Sequence, residues 1–360
     1  MAVYTSYDVV GVKEDISDII TNISPTATPF MTSIGNEKVT QQLFQWQTDI
    51  LRAPQGTSAA QPEGYDPVSF ITAVPTVMLN NRTQIFIEAV QVSGTTEATS
   101  LYGRARESAY QLAKSAAALK RDLETAFVGT AQTAQIGGSG NSAQSLPTLQ
   151  GADYPYANGS ATARWMSGVQ ELVYQAGGSN EGVCYWQGTT AASWPLTEAA
   201  NANGFGLLPA LQQVFINGGD PNTILVNPAN ALVVANWAAT SGAGRTRFLD
   251  NNDAGARKLI NVIDIYVSPF GQQKVVNDRF LKGINDLSPT STTNNTIVYD
   301  PDMFAHMTLR PWTRETLAKT GDSLKFMIVG EFSLKCKAPR ACAVIVDNGT
   351  STTAMSTGTF

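Results

Sequence analysis

The chain is poor in the residues that carry chemistry. Its 360 residues include one histidine, His306, and three cysteines, Cys184, Cys336 and Cys342. A single imidazole removes most of the support for a Ser-His-Asp triad or a histidine-rich zinc site. Three thiols without a Cys-x-x-Cys spacing are too few for a disulfide framework. His306 sits in the alternating run MFAHMTL (303–309), so the expectation is a strand residue with a satisfied hydrogen bond. Cys336 and Cys342 read as small buried hydrophobes. No catalytic, cofactor-binding or metal-ligating residues are assigned, and no cofactor.

Charge is scarce too. Charged residues make up 15% of the chain, against roughly a quarter in a typical globular domain. The net charge is −5 and no run of Lys or Arg exists. Nucleic acid binding driven by counterion release therefore lacks its usual source. A weakly charged chain rich in Ala, Thr, Asn, Gln and Gly suits a subunit whose surface is covered by neighbours. It also suits a secreted glycan-binding or surface-layer protein. The amino terminus MAVYTSYDVVGV lacks the basic and apolar regions of a signal peptide. No stretch approaches the ~18 apolar residues of a membrane span, so a soluble protein with reduced thiols is expected.

Two near-motifs fail. Ser241-Gly242-Ala243-Gly244-Arg245-Thr246 has Arg where a phosphate loop needs Lys. The run beginning Asp250-Asn251-Asn252-Asp253 has Ala254 at the fifth position and Asn261 where a calcium loop needs its bidentate Glu. Asp300-Pro301-Asp302 is explained by turn chemistry.

What is present is a sequence of structural elements. Ile16, Ile19, Ile20 and Ile23 predict a short helix over 13–23, ended by Ser24-Pro25. Alternation in LFQWQTDI (43–50) and the run 77–92 predict two strands, separated by a polar Pro/Gly-rich stretch at 52–76. Residues 96–128 contain no proline, and Leu101, Ala105, Ala109, Leu112, Ala116, Leu119, Leu123 and Ala126 recur at helical spacing. One helix of that length would run about 48 Å, with a bend plausible at Gly103.

Further along, 129–160 reads as loop and 161–176 as a helix. A helix is expected at 207–216, a strand at 223–227, a helix at 228–239, and strands near 260–267 and 273–277. In 324–336, Phe326, Ile328, Phe332, Leu334 and Cys336 alternate with Lys325, Glu331, Ser333 and Lys335. The run 341–346 reads as its return strand. Helices and strands without a βαβ rhythm indicate an α+β fold.

The phrases SPTATPFMTSIG (24–35), FQWQTD (44–49), GRARESAYQLAKSAAALKRDLE (103–124), GGDPNTILVNP (218–228), VSPFGQQKVVNDRF (267–280) and LAKTGDSLKFMIVGEFSLKCKAPRA (317–341) resemble the SU-10-like family of tailed-phage major capsid proteins. The likeness runs from about 13 to 347. It implies an HK-97-like fold: an N-terminal arm (1–38), an E-loop hairpin (39–92) and a peripheral domain (93–204) with a spine helix (96–128). An axial domain (205–316), return strands of the peripheral domain (317–347) and a flexible tail (348–360) complete it.

The resemblance implies a non-enzymatic shell subunit that assembles through pentamers and hexamers into an icosahedral or prolate head. That head would enclose double-stranded DNA as a wall, without strong specific binding. Assembly would take place in the bacterial host cytoplasm, beside a portal and possibly a cement protein. The chain starts at the arm, which favours a separate scaffolding protein. The family's founding fold member cross-links through an E-loop lysine, whereas no lysine lies between Lys38 and Lys114 here. Covalent cross-linking of that kind is therefore not expected. An encapsulin-type shell, a secreted glycan-active or glycan-binding protein and a tail or head-decoration protein are the competing readings.

Overall fold

The computed structural model describes residues 26–49, 51, 54, 60–64, 76–128, 166–173, 183–185, 206–240, 249–250, 258–259, 264–281 and 294–347. The helix expected at 13–23, the loop 129–160, most of 178–204, the near-motif residues 241–246 and 251–255 and the tail 348–360 lie outside them.

In chain order the elements are α1 (Pro29–Ser33), β1 (Gly35–Lys38), β2 (Leu43–Thr48), β3 (Val77–Arg82), β4 (Gln84–Ser93), α2 (Gly94–Ala98), α3 (Glu107–Val128), α4 (Val169–Val173) and β5 (Val183–Tyr185). Then follow α5 (Leu207–Ile216), β6 (Thr223–Val226), α6 (Pro228–Thr240), β7 (Leu249–Asp250), β8 (Lys258–Leu259), β9 (Ile265–Ser268) and β10 (Gly271–Asn277). The last strands are β11 (Asn294–Tyr299), β12 (Phe304–Thr316), β13 (Ser323–Cys336) and β14 (Ala343–Asp347).

Two sheets carry the fold. One has the order β1-β12-β13-β4 and the other β5-β14-β11-β6-β10-β9; β2 and β3 pair separately as a hairpin. In the six-stranded sheet the period of two sorts side chains cleanly. Leu225, Ile297, Tyr299 and Val344 face a core shared with α3 and the four-stranded sheet. Ile224, Val226, Val298, Ala343 and Ile345 face α5 and α6 on the other side. The shared core holds Phe30, Leu123, Phe127, Phe304, Phe332 and Leu334.

The spine helix is shorter than its periodicity suggested. It spans 107–128, not 96–128. The chain stops at α2, where Ser93 caps the first turn and Thr99 leaves helical geometry. Gly103 then adopts φ +74°, a left-handed conformation that a helix cannot contain. The helix restarts where the Glu97 carboxylate accepts the Ser108 N–H (3.1 Å) and hydroxyl (2.8 Å), replacing donors' missing partners at a helix start. Ala105 and Ala109, on the expected apolar stripe, are exposed. The buried seam is Ser115, Leu119, Leu123 and Phe127.

Three segments differ from their sequence-based assignment. The strand expected at 77–92 is two strands, β3 in the hairpin and β4 at the edge of the four-stranded sheet, with Thr83 between them. Thr83 is fully buried, and its hydroxyl donates to Glu331 (2.6 Å). The stretches expected as strands at 324–336 and 341–346 hold β13 (Ser323–Cys336) and β14 (Ala343–Asp347), but these do not pair with each other. A 3-10 turn at Pro339–Ala341 carries the chain from one sheet to the other. β12 lies within 205–316 yet pairs with β13, so the four-stranded sheet claims 304–316.

The arm assignment 1–38 also shortens. Phe30 is fully buried against Phe127, Tyr299 and Phe304, and β1 pairs in parallel with β12. Residues 28–38 are thus part of the folded body, anchored by Phe30. α5 matches its expected bounds, and β6 and α6 lie within a residue of theirs. The helix expected at 161–176 is described at 169–173, and the strands near 260–267 and 273–277 appear as β9 and β10.

Candidate assembly interface

The hairpin β2–β3 is attached to the body at its base. Trp46 Nε1 donates to the Cys336 carbonyl (2.8 Å), and Ser333 donates to the Arg82 carbonyl (2.7 Å). Asn81 is the hub. Its Nδ2 donates to the carbonyls of Leu334 (2.6 Å) and Ser167 (3.1 Å), and its Oδ1 accepts the N–H of Ser167 (2.9 Å) and of Arg82 (2.7 Å). Phe44 stacks on Trp46 at 5.6 Å. These contacts lie over the face of β13 that carries Glu331 and Ser333. Both side chains are therefore buried, although alternation placed them on a polar face. Further from the base Met78 is half exposed, and Leu51 is fully so.

Three other surfaces present apolar side chains. Ile85 and Ile87 project from the outer face of β4, an edge strand. Phe215 and Ile216 stand out at the end of α5, with Phe270 5.6 Å from Phe215. Ile265 and Val267, 62% and 69% exposed, lie on β9 at the edge of the six-stranded sheet. An edge strand with uncovered apolar side chains is a template for another chain, and exposed apolar patches mark protein contacts.

The residues considered for chemistry are spread through the core. The His306 ring lies between Phe127 (5.4 Å) and Phe332 (5.0 Å). Burial lowers its pKa to about 4, so it is a neutral aromatic filler at pH 7. Its Nε2 has no hydrogen-bond partner among the described residues, and the residue lies on β12, the strand expected for it. Aromatic packing holds it. Cys336 and Cys342 are buried free thiols, as expected, and burial pushes the Cys336 thiol well above its ordinary value. Asp300 accepts the Asp302 N–H (3.1 Å) and caps a 3-10 turn. Among the described residues no group of three metal-ligating side chains occurs, and no helix is long and apolar enough to cross a membrane.

Sequence reasoning missed a pair of buried acids, Glu124 on α3 and Asp278 after β10, both with no exposed surface. A faint signal existed. Glu124 is one turn before Val128, on a flank of the helix that its last turn also buries.

The SU10 major capsid protein family model matches residues 3–349. The major capsid protein of Escherichia phage Phieco32 is 29% identical over 95% of this chain and 96% of its own length. Among solved structures, the capsid of a native GTA particle aligns over 95% of this chain and 97% of its own, with TM-score 0.55 and 12% identity. An encapsulin from Synechococcus elongatus PCC 7942, solved as a holo-SrpI complex, aligns over 92% of this chain and 93% of its own, with TM-score 0.50 and 9% identity. These two share the fold, which is HK-97-like. The family match covers nearly the whole chain, hairpin, spine helix and both sheets included, and the chain belongs to the SU10 major capsid protein family.

Proposed function

We propose that this major capsid protein closes into a phage head through pentamers and hexamers, and that the head encloses double-stranded DNA. Membership of the capsid family over residues 3–349 is the observation that carries the reading. The scarcity of cationic side chains, 24 Lys and Arg against 29 Asp and Glu, makes the subunit a wall and not a charge-neutralising partner for DNA. It acts without catalysis.

In this reading the hairpin β2–β3 and the residues between its strands are the E-loop, laid over an adjacent subunit. The four-stranded sheet with α3 is the peripheral domain. The six-stranded sheet with α5 and α6 is the axial domain, whose exposed Phe215, Ile216, Ile265 and Val267 face neighbours around the symmetry axes. Residues before 26 form the reaching arm. Heterologous contacts of this kind close into rings when the rotation fits. Without the E-loop lysine cross-link, cohesion rests on buried interface area, on the order of 2,000 Å² or more per contact, or on a cement protein. A separate scaffolding protein and a portal complete assembly in the host cytoplasm.

The test is light scattering with negative-stain microscopy on the protein produced alone and with its neighbouring reading frames. Closed shells or five- and six-membered rings support the proposal, and a monomer in both preparations contradicts it. The encapsulin fold likeness makes a nanocompartment the second reading, and a co-purifying enzyme inside the shells would favour it.

A further inference from the structure

Glu124 is a carboxyl group in an apolar place. It lies beside Leu123 and Phe127 in the shared core, with no exposed surface. One oxygen accepts the Phe30 N–H at 2.7 Å and the other accepts the Met31 N–H at 2.9 Å. These amides open the turn α1, so the acid on the spine helix holds the segment that carries Phe30 and Met31.

Asp278 meets it from the exit of β10 and is equally buried. Its Oδ1 accepts the Phe280 N–H at 2.8 Å. Its Oδ2 has no donor among the described residues, and the carboxyl lies in hydrogen-bonding range of Glu124. The other groups nearby supply no compensating charge. From β11 comes the Tyr299 hydroxyl, 2.9 Å from Ser33 Oγ, with the Cys342 thiol beyond it. From α3, Arg121 lies over the Phe280 ring, 5.7 Å from its centre. From β12, the neutral His306 packs behind Phe127. α1 itself, PFMTS, has no ionisable side chain.

Two ionised carboxylates in one dry pocket repel strongly, and the usual resolution is that the pair keeps a proton. A metal ion is a poor alternative, since both Glu124 oxygens already face N–H donors. One proton held between the two removes the repulsion and bridges the Asp278 and Glu124 carboxyls, while the Glu124 oxygens keep both amides.

We propose that Glu124 and Asp278 share one proton, and that this proton latches the segment carrying Phe30 and Met31 to the core. Removing it as the pH rises through neutrality loosens that segment. Burial first, and then the Asp278 charge, raise Glu124 to about 7, and burial raises Asp278 to about 6. Both folded values lie above the ordinary 4.5 and 3.8. The proton uptake that stabilises the fold is therefore fully present below the ordinary values; as pH climbs through about 6 to 7 the pair passes to the single shared proton and then to none, and the latch is lost. The two values belong to the coupled pair, not to either residue alone. The latch concerns the subunit's own core and holds whatever shell the subunit builds.

Hydrogen–deuterium exchange of the full-length protein at about pH 5.5 and about pH 8.5, corrected for intrinsic rates, tests it on the peptide spanning 26–34. The wild type is expected to lose protection there by about ten-fold or more at the higher pH, while D278N, which keeps a donor for Glu124, changes little. Infrared difference spectra of the wild type alone should show a protonated carboxyl at the lower pH that disappears at the higher, which decides the matter if D278N fails to fold. Unchanged wild-type protection, an equal loss in D278N, or no protonated carboxyl band overturns the proposal.

Discussion

The indole of Trp46 and the backbone of Cys336, 290 residues apart, are joined by a 2.8 Å hydrogen bond from Nε1 to the carbonyl oxygen. That contact fixes where the hairpin leaves the body. Replacing Trp46 with Phe keeps most of the buried area but strands the carbonyl, at a cost of about 1–3 kcal/mol. Replacing it with Ala adds a cavity, for a total of about 3–5 kcal/mol. Urea unfolding of the two variants should rank them in that order.

Asn81 satisfies four partners at once. Asn81→Leu, similar in size, leaves each of them unpaired in a mostly buried place, at about 1–3 kcal/mol per group that water cannot reach. Leu is apolar and fills the space, so a large loss in the urea midpoint measures the bonds and not the volume. A midpoint within error of wild type would contradict the role of the hub.

Phe30→Ala should cost about 3–5 kcal/mol, because the ring fills the junction of α3 with both sheets and the void cannot collapse. Thermal unfolding measures it. The same substitution should raise exchange throughout 28–38, since β1 continues directly from α1.

Gly219 is where α5's exit touches the turn joining the two sheets. An added Cβ would sit 2.7 Å from the Ala341 Cα and 2.8 Å from Val214 Cγ1. The first of these is backbone and cannot swing aside, so Gly219→Ala is expected to destabilise by about 1–3 kcal/mol through overpacking. A melting temperature equal to wild type would contradict the close approach.

His306 and the Glu124–Asp278 pair pull stability in opposite directions with pH. The folded state lowers the His306 pKa from 6.5 to about 4. As pH falls through that window the unfolded chain takes up a proton that the folded chain refuses, and stability drops. In His306→Phe this acid-side loss should vanish from the plot of melting temperature against pH, while the loss from the acids, as pH rises from their ordinary values of 4.5 and 3.8 through about 6 to 7, persists.

Much of the fold was legible because burial on one face imposes a simple period. α5, β6, α6 and β13 were all found where their apolar side chains recur at helical or strand spacing. The misplaced elements share a cause. Residues 96–106 keep a helical pattern, yet Gly103 at φ +74° and the Glu97–Ser108 bonds end one helix and begin another. The change of sheet at Thr83, and again at Pro339–Ala341, depends on partners some 250 residues away or in another sheet, which no local period reports. Glu331, Ser333 and Glu124 look like solvent-facing polar residues in sequence. Their burial comes from the hairpin base and from α1, which pack over them. The apolar surfaces at Ile85, Ile87, Ile265 and Val267 were read as ordinary strand residues, because exposure is decided by what the fold leaves uncovered.

In the proposed shell, the hairpin β2–β3 and the exposed apolar edges are contacts between subunits. Electron cryomicroscopy of the assembled particle, at a resolution that traces side chains, tests this most directly. The residues beyond Trp46 and Met78 should be seated on a neighbouring subunit, and Ile265 and Val267 should be covered by another copy near a symmetry axis. A particle in which the hairpin folds back on its own subunit and these side chains stay in solvent would contradict it.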